Sequence, residues 1–171
     1  SPQLVAVAPF GAYRGSHSHA DNLSLQVWPF SNDTGCILYG IKARREWYQS
    51  GYAHNGLVID GKSHEPFAQA GHHVEGTRIQ LCAEKFGRTI RIESNQLVDE
   101  LTVSDRDIHQ YDWLFHIDGQ LALNNVEAQP HDETVGEFIQ VTERVEGVES
   151  ADFTITHRDQ TYTLHLTTQH P

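Results

Sequence analysis

Short runs in which apolar and polar residues alternate recur along the whole chain. In 23–28, Leu or Val stands at every second position, and 88–93 and 161–167 show the same period of two. A period of two is typical of a β-strand with one buried face. No segment keeps the 3.6-residue period of an amphipathic helix, so the pattern predicts an all-β chain.

A series of short strands is predicted, with turn-forming residues between them. The predicted strands are 4–8, 23–28, 36–41, 56–60, 78–83, 88–93, 97–103, 111–117, 120–123, 137–142, 151–156 and 161–167. The polar segment 129–136 contains Pro130 and is predicted to be an exposed loop. Strands of this length and spacing predict an antiparallel, supersandwich-like β-sandwich, and the length of 171 residues predicts one domain, 1–171.

The composition contains no methionine, and we therefore expect the chain to be one part of a longer protein. There is no apolar run of about 18 residues and no charged-then-apolar leader, so neither a membrane span nor a retained signal peptide is predicted. Cys36 and Cys82 form no Cys-x-x-Cys motif, which leaves both a disulfide and two buried free thiols open.

The formal net charge of −11 argues against binding to nucleic acid or to an anionic membrane. The charge is uneven, however. Residues 1–62 contain five Lys or Arg and four Asp or Glu, so their net charge is +1 and the remainder carries −12. The first third of the chain is therefore the part suited to a polyanionic ligand.

Three histidines lie directly before predicted strands in this first third. His17 and His19 are two residues apart before the strand 23–28, and His54 precedes the strand 56–60. In an extended segment, side chains two residues apart point to the same side. Histidines placed in this way serve metal binding and proton transfer, whereas the alternative is that they are turn and core residues bonded to the backbone.

Two motifs and a third segment carry a family resemblance. The motifs are His-x-His-Ala-Asp-x-Leu-Ser-Leu at 17–25 and Ala-His-Asn-x-Leu-Val-x-Asp-Gly at 53–61, and the third segment is 108–119. Together they resemble the β-sheet domain of heparinase II/III-like polysaccharide lyases, which include alginate lyases built from an α/α toroid and a β-sandwich.

The resemblance implies β-elimination at a uronic acid in a cleft between the toroid and the sheet. It implies an anionic polysaccharide or oligosaccharide as partner, a toroid elsewhere in the parent protein, and a periplasmic or secreted location. Because the toroid supplies part of the catalytic set, we expect the isolated chain to be inactive. The rival interpretation is a non-catalytic carbohydrate-binding or structural sandwich module.

The resemblance also implies roles for the three histidines. It places a catalytic histidine at His17 and ligands of a structural zinc ion at His19 and His54. Leu38 stands where the family has an acidic ligand, and Asp21 and Asp33 are near in sequence without occupying that position. Since structural zinc normally has four ligands, zinc binding is left open.

A tyrosine on the sheet side of the cleft is also implied, and Tyr39 and Tyr48 are the candidates. We favour Tyr48 because the segment 44–48, Arg-Arg-Glu-Trp-Tyr, interleaves cations with aromatic residues. Arg44 or Arg45 is predicted to bind a uronate carboxylate, and the alternative is a solvated edge strand. His116 is predicted to be a packed strand residue, with membership of the cleft as the alternative.

Overall fold

Short antiparallel strands make up most of the protein. The computed structural model describes residues 4–12, 17–63, 69–94, 96–135 and 137–168, so residues 13–16, which directly precede the first motif, lie outside the described residues. The strands are β1 (Val5–Val7), β2 (Gly11–Ala12), β3 (Gln26–Trp28), β4 (Leu57–Ile59), β5 (Gln69–Glu75), β6 (Arg78–Ala83), β7 (Phe86–Glu93), β8 (Gln96–Val103), β9 (Tyr111–Trp113), β10 (Gln120–Leu123), β11 (Gln129–Val135), β12 (Ile139–Arg144), β13 (Ser150–His157) and β14 (Gln160–Thr167). The predicted all-β, antiparallel sandwich class is confirmed.

The chain divides into two compact units, Ser1–His116 and Ile117–Pro171. The first unit contains a five-stranded sheet in the order β2-β5-β6-β7-β8 and the two-stranded pairs β1-β3 and β4-β9. The second unit contains the sheet β10-β13-β14 and the pair β11-β12. The prediction of one domain over 1–171 stays a prediction.

The core of the first unit includes the apolar residues that follow His17 and His19. Leu23, Leu25 and Val27 are 0%, 0% and 1% exposed, as the alternation predicted. The strand itself is shorter than predicted and begins at Gln26. Leu23 lies in a turn closed by the Ser24 N–H and the Asp21 carbonyl, 2.9 Å apart, and its φ of +64° is in the left-handed region.

β7 alternates as its sequence predicts, with one charged residue on the buried face. Phe86, Arg88 and Ile90 are 8%, 1% and 1% exposed. Arg88 forms an ion pair with Asp99 of β8. In the register of the two strands, Asp99 lies opposite Ile90 of β7. Burying a guanidinium is unfavourable unless its donors are satisfied, so this position needs a specific explanation.

Two predictions about the loops are wrong. The segment 36–41 is not a strand: Gly35 before it and Gly40 within it have φ of +81° and +84°, and most of the segment is exposed. Segment 129–136, predicted as a loop, contains β11, which pairs with β12 around an irregularity between Pro130 and Glu133. Both faces of β11 are largely exposed, so no apolar alternation marked it as a strand.

Two short helical turns occupy the region for which an edge strand was the alternative prediction. Arg44–Tyr48 forms a π-helical turn and Gly51–Ala53 a 3₁₀ turn, so the edge-strand alternative for Arg44 and Arg45 is wrong. Each turn is too short to show a helical period in sequence. Among the described residues, no helix has the length and apolar character needed to cross a membrane. Cys36 and Cys82 are free thiols but are exposed, so both the disulfide and the burial of the two thiols are wrong.

Candidate functional site

The two histidine motifs lie side by side in the first unit. The ring centroids of His19 and His54 are 5.3 Å apart. Backbone hydrogen bonds hold the two segments together: the Ala20 N–H donates to the Gln49 carbonyl and the Leu25 N–H to the Asn55 carbonyl, each over 3.0 Å. Both bonds lie on the C-terminal side of His19, and they hold its segment against the one that contains His54.

Asn55, the residue after His54, connects three segments through its buried side chain. Its Nδ2 donates to the Leu25 carbonyl over 2.7 Å and to Ser31 Oγ over 2.8 Å. Its Oδ1 accepts the backbone N–H of His116 over 2.6 Å. An amide with these satisfied bonds fixes its neighbour His54 against the strand that follows the first motif.

Asp33 provides a carboxylate beside His54. The Nδ1–H of His54 donates to Asp33 Oδ2 over 2.8 Å, and the Gly35 N–H donates to Asp33 Oδ1 over 2.6 Å. His54 is 2% exposed, and its Nε2 is buried with no hydrogen-bond partner among the described residues. With the proton held on Nδ1, Nε2 carries the free lone pair that a ligand or a proton would use.

The charges of this cluster influence one another. Burial lowers the pKa of His19, and the neighbouring His54 lowers it further by like-charge repulsion. Burial raises the pKa of Asp21. Burial acts in the same direction on Asp33, but the hydrogen bonds from His54 and Gly35 outweigh it, so the pKa of Asp33 is lowered. The cluster therefore favours a neutral His19 beside an ionised Asp33.

His17 lies in a second, exposed group. Tyr39 Oη and His17 Nδ1 form a hydrogen bond of 2.8 Å, and the Arg44 guanidinium carbon lies 4.1 Å from the centroid of the Tyr39 ring. Tyr39 is 68% exposed, whereas Arg44 is half-buried and its Nε has no hydrogen-bond partner in the described part of the chain. An imidazole, a phenol and a guanidinium thus meet at the surface.

Tyr48 and Arg45, both predicted site residues, take other positions on the same π-helical turn. Tyr48 ends the turn and is half-buried, and Arg45 is exposed. Of the two tyrosines and two arginines considered, Tyr39 and Arg44 are the pair placed together with His17.

His116 belongs to the histidine cluster and not to a strand, because β9 ends at Trp113. Its Nε2–H donates to the Tyr52 carbonyl over 2.8 Å, and its ring meets the edge of Trp47 with centroids 5.9 Å apart. Burial lowers the pKa of His116, and the nearby His54 acts in the same direction. The prediction that His116 is a strand residue is wrong.

Comparison with known proteins adds a family to this geometry. Residues 4–96 match the family described as heparinase II/III-like, C-terminal, and this match covers more than half of the chain. The chain belongs to this family. No curated protein and no solved structure matches it.

The family prediction is confirmed, and the protein is a polysaccharide lyase-related domain. Both histidine motifs of this heparinase II/III-like domain, at 17–25 and 53–61, lie inside the matched residues, whereas the segment 108–119 lies beyond them. The family assignment therefore rests on the same part of the chain that brings His19 and His54 together.

The donor set of the heparinase II/III-like domain fits the zinc ion that the family implies. Two imidazoles are available as zinc ligands, and Nε2 of His54, which has no partner among the described residues, is a free donor atom. Asp33 is bonded to Nδ1 of His54 and therefore lies behind that ring. Asp33, and not a residue at position 38, is the acid beside the histidines; Leu38 is 76% exposed.

A tighter cluster of metal-binding side chains lies elsewhere. Within the described ranges, the set of three or more such residues whose ligand atoms all lie within 4.8 Å of one another is Asp105, Asp107 and His109. Lys85 already supplies a cation there, with its Nζ 2.6 Å from Asp105 Oδ1. The residues around His54 are therefore close together without meeting this spacing.

Sequence reasoning passed over two residues of the site. Asp33 was set aside because it does not occupy the family position, although Asp33-Thr34-Gly35 is a typical turn in which a carboxylate caps a backbone N–H. The interleaved cations and aromatic residues of 44–48 favour Tyr48 in the sequence, whereas Tyr39 is the tyrosine that contacts His17. Neither contact has a local signal, since Asp33 reaches His54 across 21 residues and Tyr39 reaches His17 across 22.

Proposed function

We propose that this domain supplies one wall of the catalytic cleft of a polysaccharide lyase that cleaves a uronic-acid-containing glycan by β-elimination. The observation that carries the proposal is the hydrogen bond between His17 and Tyr39 beneath the guanidinium of Arg44. A proton acceptor, a proton donor and a cation are the three kinds of group that this reaction uses.

His17 and Tyr39 can divide the two proton transfers between them. With Nδ1–H of His17 donating to Tyr39 Oη, Nε2 of His17 is free to remove the C5 proton of the uronate. The electron pair of the C5–H bond forms the C4=C5 double bond as the C4–O bond breaks, and the Tyr39 hydroxyl protonates the leaving glycosidic oxygen. The proton on Nδ1 then passes to the Tyr39 phenolate, and His17 keeps the one taken from C5.

Arg44 is placed to neutralise the carboxylate of the uronate. A guanidinium binds a carboxylate through two parallel hydrogen bonds, and charge neutralisation makes the adjacent C5–H bond more acidic. Support comes from the position of the Arg44 guanidinium over the exposed Tyr39 ring and from the net charge of +1 in residues 1–62. Tyr48 and Arg45 are then neighbours of the site and not members of it.

We further propose that His19 and His54 would hold a structural zinc ion, with Asp33 as the carboxylate beside them. When bound, the ion would tie together the segments that carry the two histidine motifs. The family resemblance supports a toroid domain as the other wall of the cleft and a periplasmic or secreted location.

The test is an elimination assay on a panel of glycans. Heparin, heparan sulfate, hyaluronan and alginate are each mixed with the parent protein and with this chain alone, and the ultraviolet absorbance of the unsaturated uronate product is followed. We expect product from the parent with at least one uronate glycan and none with a neutral glycan such as dextran. Glycan binding by the parent without product would support the non-catalytic alternative.

A further inference from the structure

The buried side chain of Arg88 is hydrogen-bonded to the backbone of both histidine segments. Its Nη1 donates to the Leu23 carbonyl over 2.5 Å and to the Asn55 carbonyl over 2.7 Å. Leu23 ends the turn that follows the His19 segment, and Asn55 directly follows His54. One nitrogen of a β7 residue is thus bonded to the backbone of both motifs.

The rest of the guanidinium is fixed by a second residue. Nε of Arg88 donates to Asp99 Oδ1 over 2.8 Å and Nη2 to Asp99 Oδ2 over 2.5 Å, which is a bidentate pair. Four of the five N–H donors are therefore used, and the side chain is 0% exposed. Asp99, 10% exposed at its side chain, sets the direction in which Nη1 points.

The carbonyl of Leu23 needs such a partner. A buried leucine with a φ of +64° has an unfavourable backbone conformation, which persists only where its surroundings fix it. The hydrogen bond from Arg88 satisfies the Leu23 carbonyl at a buried position that water does not reach. A hydrophobic side chain at position 88 would fill the volume but would leave two carbonyls without this donor.

We propose that Arg88, oriented by Asp99, is a positioning residue that sets the separation of His19 and His54. This proposal rests on the proposed function in one respect, namely that His19 and His54 form a site. Arg88 acts through the backbone of Leu23 and Asn55 and contacts neither substrate nor metal.

Variants of the whole 171-residue chain test this proposal. Arg88→Lys keeps the positive charge but cannot form the bidentate pair and both carbonyl bonds together. The double variant Arg88→Met/Asp99→Leu removes both charges, so no buried carboxylate is left alone. Arg88→Lys keeps a partner for Asp99 and serves as the deciding variant if the double variant does not fold.

Two control variants lie on the same strand. Arg91→Met removes a cation from the opposite face of β7, where Arg91 Nη1 lies 2.9 Å from Glu100. Ile90→Ala destabilises the core from the same face as Arg88 but removes no hydrogen bond to the histidine segments. Ile90→Ala therefore shows how a loss of stability alone changes the histidine signals.

The first readout is the ¹H–¹⁵N spectrum of the imidazole rings in the metal-free chain. We expect both Arg88 variants to shift or broaden the ring signals of His19 and His54, and to leave those of His131 and His165 in the second unit unchanged. Arg91→Met and Ile90→Ala should leave all four rings as in the wild type. Folded Arg88 variants with wild-type signals for His19 and His54, or an Ile90→Ala spectrum equal to theirs, would overturn the proposal.

Zinc titration is the second readout. We expect the Arg88 variants to bind zinc about tenfold more weakly or worse, the range for losing support behind a ligand. A wild-type chain that binds no zinc would contradict the zinc site proposed above, and the metal-free ring spectra would still decide the role of Arg88.

Discussion

Oδ2 of Asp33 accepts a hydrogen bond from Nδ1 of His54 over 2.8 Å, although the two residues are 21 positions apart. The contact fixes the tautomer of a buried imidazole and turns its free nitrogen away from the acid. A carboxylate behind a histidine is a frequent arrangement at metal sites, where it orients the ring and raises its basicity. Together with the hydrogen bond from the Gly35 N–H, this contact outweighs burial and lowers the pKa of Asp33.

Replacement of this carboxylate should weaken metal binding. We expect Asp33→Asn to raise the zinc dissociation constant of the chain about 10–100-fold, measured by calorimetric titration of the metal-free protein. The matched control is Glu133→Gln, because Glu133 Oε2 makes the same kind of contact with His131 Nε2, over 2.9 Å, on β11. Equal affinities for the two variants would contradict a role of Asp33 at the site.

The core position Leu25 should be among the most sensitive to truncation. Its side chain is fully buried, so Leu25→Ala is expected to lower the free energy of unfolding by about 2–5 kcal/mol in urea denaturation. Leu38→Ala, at a position that is 76% exposed, should change it by less than about 0.5 kcal/mol. A similar loss in both variants would mean that the alternation in 23–28 does not define the core.

The stability of the metal-free chain should fall on acidification, in part through His116. Burial holds the pKa of His116 below its ordinary value of 6.5, so below pH 6.5 the unfolded chain binds more protons than the folded one. The contribution of His116 should therefore lower the free energy of unfolding as the pH falls from 6.5 to its lowered pKa, and should not change below that pKa.

Urea unfolding at a series of pH values in the presence of a chelator measures this slope. We expect His116→Gln, whose side-chain amide can still donate to the Tyr52 carbonyl, to reduce the slope without removing it. Some slope should remain because burial also lowers the pKa of His19. An unchanged slope in His116→Gln would show that His116 does not take part.

Arg44 and Arg45 should differ in their effect on substrate binding. If Arg44 binds the uronate carboxylate, Arg44→Met in the parent enzyme should lower kcat/KM about 10–150-fold, the equivalent of a charge-assisted hydrogen bond of roughly 1.5–3 kcal/mol. Arg45→Met, on the exposed side of the same turn, should change kcat/KM by less than about threefold. Equal losses for the two variants would assign the effect to the net charge of the turn.

The sequence predicts the strands well where one face is buried. The strand at 78–83 was predicted with the observed bounds, and 88–93 is the main part of β7. The segment 36–41 has the residue types of a strand, but the positive φ angles of Gly35 and Gly40 and its exposure keep it a loop. Alternation reports burial, and it is uninformative where neither face is covered.

Of the candidate site, the sequence predicts the histidines but not the residues that contact them. The histidines are recognisable because each precedes a strand within a motif. Asp33, Tyr39 and Arg88 act through contacts between residues 21, 22 and up to 65 positions apart, which no local pattern encodes. Arg88 is hidden most completely, since an arginine in an alternating strand is normally expected on the solvent face.

The proposed division of catalysis is tested most directly by the rate of elimination in three variants of the parent protein. If His17 and Tyr39 transfer the two protons, His17→Ala and Tyr39→Phe should each lower kcat about 10²–10⁴-fold, measured by the ultraviolet absorbance of the unsaturated product. Tyr48→Phe, the matched control on the π-helical turn, should keep kcat within about threefold of the wild type. Full turnover in His17→Ala or Tyr39→Phe, or a comparable loss in Tyr48→Phe, would contradict the account.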